Sequence, residues 1–264
     1  MAASRLALVS AVIGDLYQQR WHRHAREGWL AYAARFGLHV VVFDDYLDPS
    51  GRGRGRSPAW QKLLVLEHPR VAGYDRVVWL DADVVINAAE APLVFDGVPA
   101  DRVGATLNNA FIGHPVLAAS FARTCRPGAP PAHARAMYER CGLSPAWDTV
   151  INTGVWVASP REHAALFRQV YDEHDERPGS YFEQTALSHR LLQHDLLHPI
   201  DARFNVLWYE FVDSVYAFLD GGDGAVRARA LAAVFHNSYF LHFAAEQDDL
   251  PLLAAAGAHR TALT

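Results

Sequence analysis

Cysteine is scarce in this 264-residue chain, and its scarcity excludes two common ways of stabilising a fold. The two cysteines, Cys125 and Cys141, form no Cys-x-x-Cys pair and belong to no cluster of metal ligands. A disulfide scaffold needs several paired cysteines, and a structural zinc site needs closely spaced ligands. We therefore expect neither, and a reducing, cytoplasmic location fits best.

Long apolar runs are also missing. No run approaches the roughly 20 apolar residues that a membrane-spanning helix needs, so the sequence predicts no transmembrane segment. Residues 1–10 contain a single arginine and a short apolar run that continues into Gly14 and Asp15, which is unlike a cleavable signal peptide. Peripheral attachment to a membrane stays open.

Positive charge is not in excess. The 24 lysines and arginines are outnumbered by 29 acidic residues, and the formal net charge is -5, so nucleic acid is not a predicted partner. The one arginine-rich stretch, Gly51–Arg56, is short and has no interleaved aromatic residues. We interpret it as a mobile surface loop, either a lid that folds over a bound ligand or a simple solvated loop.

Hydrophobic residues are abundant, at 51% of the chain, and their arrangement is typical of an α/β domain. Apolar residues recur at three- and four-residue spacing and predict a helix that Gly37 ends; they are Tyr17, Trp21, Ala25, Trp29, Tyr32 and Phe36. Ser57 and Pro58 begin the next helix, and short runs of branched residues predict buried strands. The predicted order is strand Leu6–Ile13, helix Tyr17–Phe36, strand Leu38–Phe43, helix Pro58–Glu67 and strand Arg76–Leu80.

This alternation predicts a mostly parallel, Rossmann-like central sheet that is flanked by helices and binds its ligand beyond the carboxyl ends of the strands. A chain of this length can form it as one domain. Pro127–Pro131 is predicted to be a loop within that domain. Further strands are predicted at Arg102–Leu107, Val150–Ala158 and Val234–Phe243, and further helices near Pro115–Cys125, Pro160–Glu173 and Tyr181–Gln193.

Two carboxylates, Asp81 and Asp83, stand where the strand Arg76–Leu80 ends. Their spacing can place both on one side of the chain, and two hard oxygen ligands suit Mn²⁺ or Mg²⁺. A cation held there would neutralise charge that develops on a diphosphate. An isolated pair of this kind as often accepts only local backbone hydrogen bonds, but the end of a strand is where an α/β fold binds its ligand.

With these residues in view, the sequence resembles the GT-A nucleotide-sugar-dependent glycosyltransferases, particularly the retaining families 8 and 34. Five separated segments carry the resemblance, and they follow one another in family order over most of the chain. That ordered set is far more specific than any one member. The segments are Lys62–Leu64, Trp79–Asn87, Ile151–Val155, Glu183–Leu187 and Phe240–Ala245.

The resemblance implies a single GT-A domain over residues 1–264, with a nucleotide-sugar-binding half at residues 1–110. Residues 111–264 would form the acceptor side and supply the third metal ligand. The implied activity is transfer of a hexose or pentose from a UDP- or GDP-sugar to a hydroxyl group, with retention of configuration. The implied acceptor is a glycan, a lipid-linked molecule or a small molecule; the oligomeric state is not predicted.

The resemblance also implies a role for individual residues. Asp81, Asp83 and His242 would coordinate the cation, which is Mn²⁺ or Mg²⁺, and Lys62 would reach the sugar or phosphate of the donor. Gln184 would lie beneath the anomeric carbon and Glu183 would bind sugar hydroxyls. The remaining donor-binding residues would be Asn152, Thr153 and Gly154 around the sugar, Ala82 between the two aspartates, and Ala11, Val12, Ile13 and Tyr17 around the base and ribose.

The chain departs from the family 8 pattern after His242. Members usually have a glycine there and a nearby lysine that grips the diphosphate, whereas this chain has Ala245 and then Glu246, Asp248 and Asp249. Lys62 or an arginine of Gly51–Arg56 could supply the missing positive charge.

Several residues keep a structural reading beside the functional one. Asp148 could bind an acceptor hydroxyl or cap a loop, and Glu183 could form a capping box with Ser180. For Ser159 with Glu162 we favour capping outright. Three aromatic residues near later loops are candidates for acceptor contacts: Trp147, Trp208 and Tyr209.

Two other functional classes stay open at this stage. A strand that ends in Asp-x-Asp also matches the nucleophile loop of haloacid-dehalogenase-type phosphatases, although that loop normally follows the first strand. A non-catalytic protein that binds sugar nucleotides is the third possibility. Release of phosphate from simple phosphomonoesters would favour the phosphatase, and tight binding of a donor without turnover would favour the binding protein.

Overall fold

The computed structural model describes residues 4–107, 131–177, 181–212, 219, 223–244 and 247–255. In this part of the chain nine strands are present, numbered here in chain order. They are Leu6–Ala11 (β1), His39–Phe43 (β2), Arg76–Leu80 (β3), Val84–Ile86 (β4), Val103–Leu107 (β5), Ile151–Ala158 (β6), Leu197–Pro199 (β7), Val206–Leu207 (β8) and Phe240–His242 (β9).

Six strands form the main sheet, in the order β2-β1-β3-β6-β5-β7. The pairs β1/β2, β1/β3 and β5/β7 are parallel, whereas β6 runs antiparallel to both β3 and β5. Five strands therefore share one direction, and the predicted mostly parallel sheet is confirmed. The other three form a small sheet, β4-β9-β8, in which β4 is antiparallel to β9 and β8 is parallel to it.

The helices occupy most of the predicted positions, with different ends. The predicted helix Tyr17–Phe36 is present from Asp15 and contains one π-helical turn. It ends at Gly37, whose φ of 66° suits a residue without a Cβ atom. The α-helices are Asp15–Arg20, Arg26–Phe36, Gly51–Arg54, Pro131–Arg140, Pro160–Glu173, Gln184–Gln193, Trp208–Glu210, Gly224–His236 and Leu250–Ala255, with the π turn at Trp21–Ala25 and 3₁₀ segments at Pro58–Leu63, Val65–Glu67, Ala202–Asn205 and Gln247–Asp249.

Both faces of the main sheet are buried. In β1, Leu8 packs into one apolar cluster while its neighbours Ala7 and Val9 pack into another on the opposite side. Strand β3 divides in the same way, with Val78 in the first cluster and Trp79 in the second. Successive side chains of a strand point to opposite faces, so strands covered on both faces have continuous apolar runs. This is why the sequence located β1 and β3 well.

The predicted strand Val234–Phe243 is wrong for most of its length. Val234 and Leu231 lie on the helix Gly224–His236, where they are buried three residues apart. Asp223 caps this helix, because its side chain accepts a hydrogen bond from the backbone N–H of Ala225 at 2.8 Å. Only Phe240–His242 is extended. Over so short a stretch the spacing of the apolar residues fits both a helix and a strand. The cap at Asp223 favours the helix.

The segment Gly51–Arg56 is not the mobile loop that its composition predicts. Gly51–Arg54 forms one helical turn, and the side chain of Arg56 is buried, with its guanidinium 4.6 Å from the ring centroid of Tyr171. Arg56 donates to the backbone oxygen of Tyr171 at 2.9 Å and also contacts Asp175. The last carbonyl groups of a helix lack internal partners and attract cations, so this segment is anchored to the end of Pro160–Glu173.

Ser159 makes no side-chain cap; its hydroxyl donates to the backbone oxygen of Ala100 at 2.7 Å, so the favoured capping role is wrong. The predicted helix Pro115–Cys125 and most of the loop Pro127–Pro131 lie outside the described residues, as does Ser180, although Pro131 itself begins a helix. In the described part of the chain no helix has the length and apolarity needed to cross a membrane.

Candidate active site

The pairing of β4 with β9 brings a distant histidine to the Asp81–Asp83 turn. Asp81 follows β3 directly and accepts a turn hydrogen bond from the backbone N–H of Val84 at 3.1 Å. Val84 lies opposite His242 in the antiparallel pair, and the backbone N–H of Phe243 donates to the carbonyl oxygen of Asp83 at 3.1 Å. One ligand atom from each of Asp81, Asp83 and His242 lies within 4.8 Å of the others. The structure therefore brings the three sequence-predicted metal ligands together.

His242 is held from both sides of its ring. Its Nε2 is 3.3 Å from Oδ1 of Asp83, and its Nδ1 is 2.9 Å from Oδ1 of Asn205. Burial alone would raise the pKa of Asp83, but His242 beside it and a hydrogen bond from Gln247 outweigh burial and lower the pKa of this carboxyl. Asp83 is thus kept ionised, as a ligand to a cation must be.

Gly154, on β6, leaves the space that the His242 ring occupies. A Cβ atom at this position would lie 2.2 Å from Cε1 and 2.5 Å from Nδ1 of His242. The backbone N–H of Gly154 donates to Oδ1 of Asn152 at 2.9 Å, and the amide of Asn205 donates to the same oxygen at 2.8 Å. Asn152 and Gly154, which were predicted to border a sugar, therefore also form the support of the imidazole.

Lys62 is buried between two carboxylates. Its Nζ is 2.8 Å from Oδ1 of Asp81 and 3.0 Å from Oε1 of Glu183, and it donates to the carbonyl oxygen of Thr153 at 3.2 Å. Burial alone would lower the pKa of Lys62, but the two carboxylates outweigh burial and raise the pKa. Lys62 is therefore a fixed cation whose charge is already balanced within the site.

Glu183 and Gln184 lie on the other side of Lys62, at the start of the helix Gln184–Gln193. Glu183 is 1% exposed and accepts a hydrogen bond from the hydroxyl of Thr153 at 2.7 Å. Burial raises the pKa of Glu183, and Lys62 opposes this shift. Oε1 of Gln184 accepts from the backbone N–H of Thr153 at 3.4 Å. Thr153 thus connects both predicted sugar-binding side chains to β6.

The residue that precedes Glu183 and Gln184 has a strained backbone conformation. Phe182 has a φ of 51°, a conformation that is unfavourable for a bulky side chain, and the residue is 49% exposed. The neighbouring Tyr181 is 48% exposed. The left-handed turn sends Glu183 into the site and leaves Phe182 facing solvent. Such strain is often found beside functional residues, where surrounding contacts maintain it.

Substitutions at Phe182 should measure this strain. Phe182→Gly is expected to be more stable than Phe182→Ala by about 1 kcal/mol, because a left-handed conformation costs a residue with a Cβ atom about 1–2 kcal/mol and glycine nothing. Chemical unfolding of the two variants gives the difference directly. Equal stability of the glycine and alanine variants would mean that the residue relaxes to a negative φ in solution.

The nucleotide end of the predicted site lies beside the metal-ligand cluster. Val12 is buried and donates its backbone N–H to the carbonyl oxygen of Phe43 at 2.7 Å. Tyr17 is 43% exposed, and its hydroxyl accepts from Nε2 of Gln247 at 3.2 Å. The same Nε2 donates to Oδ2 of Asp83 at 2.8 Å. The side chain of Gln247 thus links Tyr17 to the predicted metal ligand Asp83.

Other predicted residues have partners elsewhere. Asp148 forms an ion pair with Arg135, and both side chains are about half exposed; the hydrogen bond from Arg135 lowers the pKa of Asp148. Trp208 is fully buried and donates to Asp249 at 2.5 Å, so its proposed acceptor contact is wrong. Trp147 packs edge-on against His189 at 5.0 Å between ring centroids.

Three residues of this network were not identified from the sequence. Asn205 lies on a short 3₁₀ turn before β8, Gln247 lies on a 3₁₀ turn after β9, and Arg20 donates to Oε1 of Gln247 at 2.7 Å. Asn205 and Gln247 have neutral amide side chains, which form no charge pattern in the sequence. The residues that these amides contact are far away in the chain. The one available signal was the position of Gln247 within five residues of His242.

Comparisons with known proteins support the fold. No protein-family model matches the chain, and no curated protein matches it. Among solved structures, a glycosyltransferase involved in the glycosylation of the major capsid of PBCV-1 is 12% identical, with a TM-score of 0.57 over 94% of this chain and 100% of that one. The apo structure of the bifunctional glycosyltransferase WbbM is 14% identical, with a TM-score of 0.51.

The match to WbbM covers 94% of this chain and 49% of WbbM, so this chain spans about half the length of that protein. At such low sequence identities the likeness concerns the fold alone. The architecture described above is that of GT-A glycosyltransferases, and the fold implied by the sequence resemblance is confirmed.

Proposed function

We propose that this chain, whose fold is shared with glycosyltransferases, moves a hexosyl or pentosyl group from a UDP- or GDP-sugar to a hydroxyl group of an acceptor. One observation carries the proposal. Asp81, Asp83 and His242 converge within 4.8 Å at the carboxyl end of β3, which is the edge where an open α/β sheet binds its ligand. Tyr17, on the helix that follows β1, is linked to Asp83 through the side chain of Gln247.

The donor set fits a divalent cation. Two carboxylate oxygens and one imidazole nitrogen are ligands that Mn²⁺ accepts, and Mg²⁺ is the alternative where oxygen ligands dominate. Asp81, Asp83 and His242 would hold the ion, while Asn205 would fix the ring of His242 in the orientation that presents Nε2. When bound, the cation would supply positive charge that stabilises the departing diphosphate.

The residues around Lys62 would hold the sugar. Lys62, Glu183 and Thr153 form a connected set of hydrogen bonds, and a connected set keeps each polar group in one orientation. Gln184, which is 8% exposed, would lie beneath the anomeric carbon, and the transfer would retain the configuration of that carbon. The main contribution of these side chains would be to position the sugar for attack by the acceptor hydroxyl.

A thermal-shift screen of UDP- and GDP-sugars, with and without Mn²⁺, tests the proposal. One donor is expected to raise the melting temperature only when Mn²⁺ is present, since a ligand at 100 times its dissociation constant adds about 2.7 kcal/mol to the free energy of unfolding. The stabilising donor should then release its nucleoside diphosphate in the presence of Mn²⁺, and the release should be faster with a hydroxyl acceptor.

The other functional classes give different results in the same assays. A phosphatase would release phosphate from simple phosphomonoesters with Mg²⁺, and its Asp-x-Asp loop would be expected after the first strand, whereas Asp81 follows β3. A binding protein would be stabilised by a donor without any release of nucleotide. The absence of stabilisation by any nucleotide sugar would contradict the proposed transferase.

A further inference from the structure

The candidate site has more negative than positive charge. Asp81, Asp83 and Glu183 contribute three carboxyl groups, and Lys62 is already paired with two of them. A diphosphate carries further negative charge, so one cation on the protein side would improve its binding. The arginines of Gly51–Arg56 do not supply it in this structure: Arg52 and Arg56 pair with Asp175, and Arg54 pairs with Asp45.

Arg20 is placed to supply the missing charge. Its Nη1 donates to Oε1 of Gln247 at 2.7 Å, and Nε2 of the same Gln247 donates to Oδ2 of Asp83 at 2.8 Å. A single amide group therefore separates the guanidinium from a predicted metal ligand. Tyr17 and Arg20 are three residues apart on the helix Asp15–Arg20, so they share one side of it, and both contact Gln247.

The present partner of Arg20 is easily exchanged. Nη2 of Arg20 lies 2.6 Å from Oδ1 of Asp248, whose side chain is 93% exposed. Exposed ion pairs of this kind contribute little to stability. A diphosphate, in contrast, offers oxygens that match the planar fork of a guanidinium in a bidentate arrangement. Exchange of Asp248 for a diphosphate is therefore favourable for Arg20.

We propose that Arg20 binds the diphosphate of a nucleoside diphosphate, and that Asp248 holds the guanidinium when no diphosphate is bound. In this arrangement Gln247 is a positioning residue, because it fixes the distance between the guanidinium of Arg20 and the carboxylate of Asp83. One end of a diphosphate would then lie at Arg20 and the other at the cation site beside Asp83. The inference rests on the proposed function and assigns a diphosphate-binding group within it.

Calorimetric titration of UDP and GDP in the presence of Mn²⁺ tests the assignment. Arg20→Gln is expected to weaken binding of the preferred nucleotide about 10- to 100-fold, because it removes charge-assisted hydrogen bonds. Asp248→Asn is expected to tighten binding up to about 5-fold, because it releases Arg20 from a weak ion pair. In the double variant the gain from Asp248→Asn should vanish, since the two residues would act through one contact.

The opposite changes in nucleotide affinity that we expect for Arg20→Gln and Asp248→Asn distinguish ligand binding from a structural role. If Arg20 and Asp248 only held the turn together, both substitutions would change nucleotide affinity in the same direction, and both would lower the melting temperature. Arg23→Gln removes the same charge from an exposed position one turn along and should leave affinity unchanged. Titration of Mn²⁺ alone should give the same affinity in Arg20→Gln as in the wild type.

Two negative outcomes are distinguishable. If the wild type binds UDP or GDP and Arg20→Gln binds it equally well, the assignment of Arg20 is overturned while the proposed function stands. If the wild type binds neither nucleotide with Mn²⁺, the proposed function and the assignment of Arg20 fail together. Inorganic pyrophosphate with Mn²⁺ is the matching probe without a base, and its affinity should fall in Arg20→Gln by a similar factor.

Discussion

Asp83→Asn should abolish cation-dependent sugar transfer while the protein stays folded. The substitution conserves the shape of the side chain, and the amide oxygen can still accept the hydrogen bond from Gln247. It removes the negative charge that would pair with a cation, however, and one of the three proposed ligands. Loss of a partner that only orients a ligand already costs about 10- to 100-fold in affinity or activity, so loss of the ligand itself should cost at least about 100-fold in turnover.

Three measurements check this result. Calorimetric titration should show weakened Mn²⁺ binding, an assay of nucleotide release should show the loss of turnover, and the melting temperature without metal should stay near that of the wild type. Asp195→Asn is a matched control, because Asp195 is exposed and its φ of 51° is one that asparagine adopts readily. Undiminished turnover of Asp83→Asn would reject the proposed metal site.

Gly154→Ala should disrupt the same site from the opposite side of His242. The new Cβ atom would lie 2.2 Å from Cε1 of the imidazole, a distance that forces the ring or β6 to move. His242 is buried and its Nδ1 is held by Asn205, so the ring can move only by losing its place beside Asp83. We expect Mn²⁺ affinity to fall at least about 10-fold and the free energy of unfolding to fall by about 1–3 kcal/mol.

Two further variants test whether the clash with the imidazole causes this effect. Gly224 begins a helix, and a Cβ atom at that position would meet no atom beyond its own helix and chain neighbours within 4 Å, so Gly224→Ala should leave stability and Mn²⁺ affinity nearly unchanged. In a chain that carries His242→Ala, adding Gly154→Ala should lower stability little further, because the clashing ring is then absent, and Mn²⁺ binding should stay weak in both variants. Normal Mn²⁺ affinity of Gly154→Ala would show that the imidazole has room that the structure does not indicate.

The sequence predicted those elements whose residues determine their own local structure. Strand β3 and the helix Pro160–Glu173 lie where the sequence places them. An uninterrupted apolar run favours a buried strand, and a first-turn proline favours the start of a helix. Gly51–Arg56 was misjudged because its glycines and arginines say nothing about their partner, the last turn of the helix Pro160–Glu173. That contact is tertiary, and local composition does not contain it.

The same division applies to the candidate site. Asp81, Asp83 and His242 were identified because charged and imidazole side chains stand in segments that resemble a known family. Asn205 and Gln247 were not, since an amide becomes part of a site only through what it contacts. The contact of Asn205 follows from strand pairing, because β8 lies parallel to β9 and brings Asn205 beside His242.

The pairing of β4 with β9 has a consequence for biosynthesis. Asp81 and Asp83 leave the ribosome well before His242, because about 160 residues separate them from it in the sequence. A nascent chain that stops before Phe240 holds two of the three proposed ligands and lacks the strand that carries the third. The proposed cation site would therefore form only after β9 has been made and has docked, and an incomplete chain would hold the ion weakly.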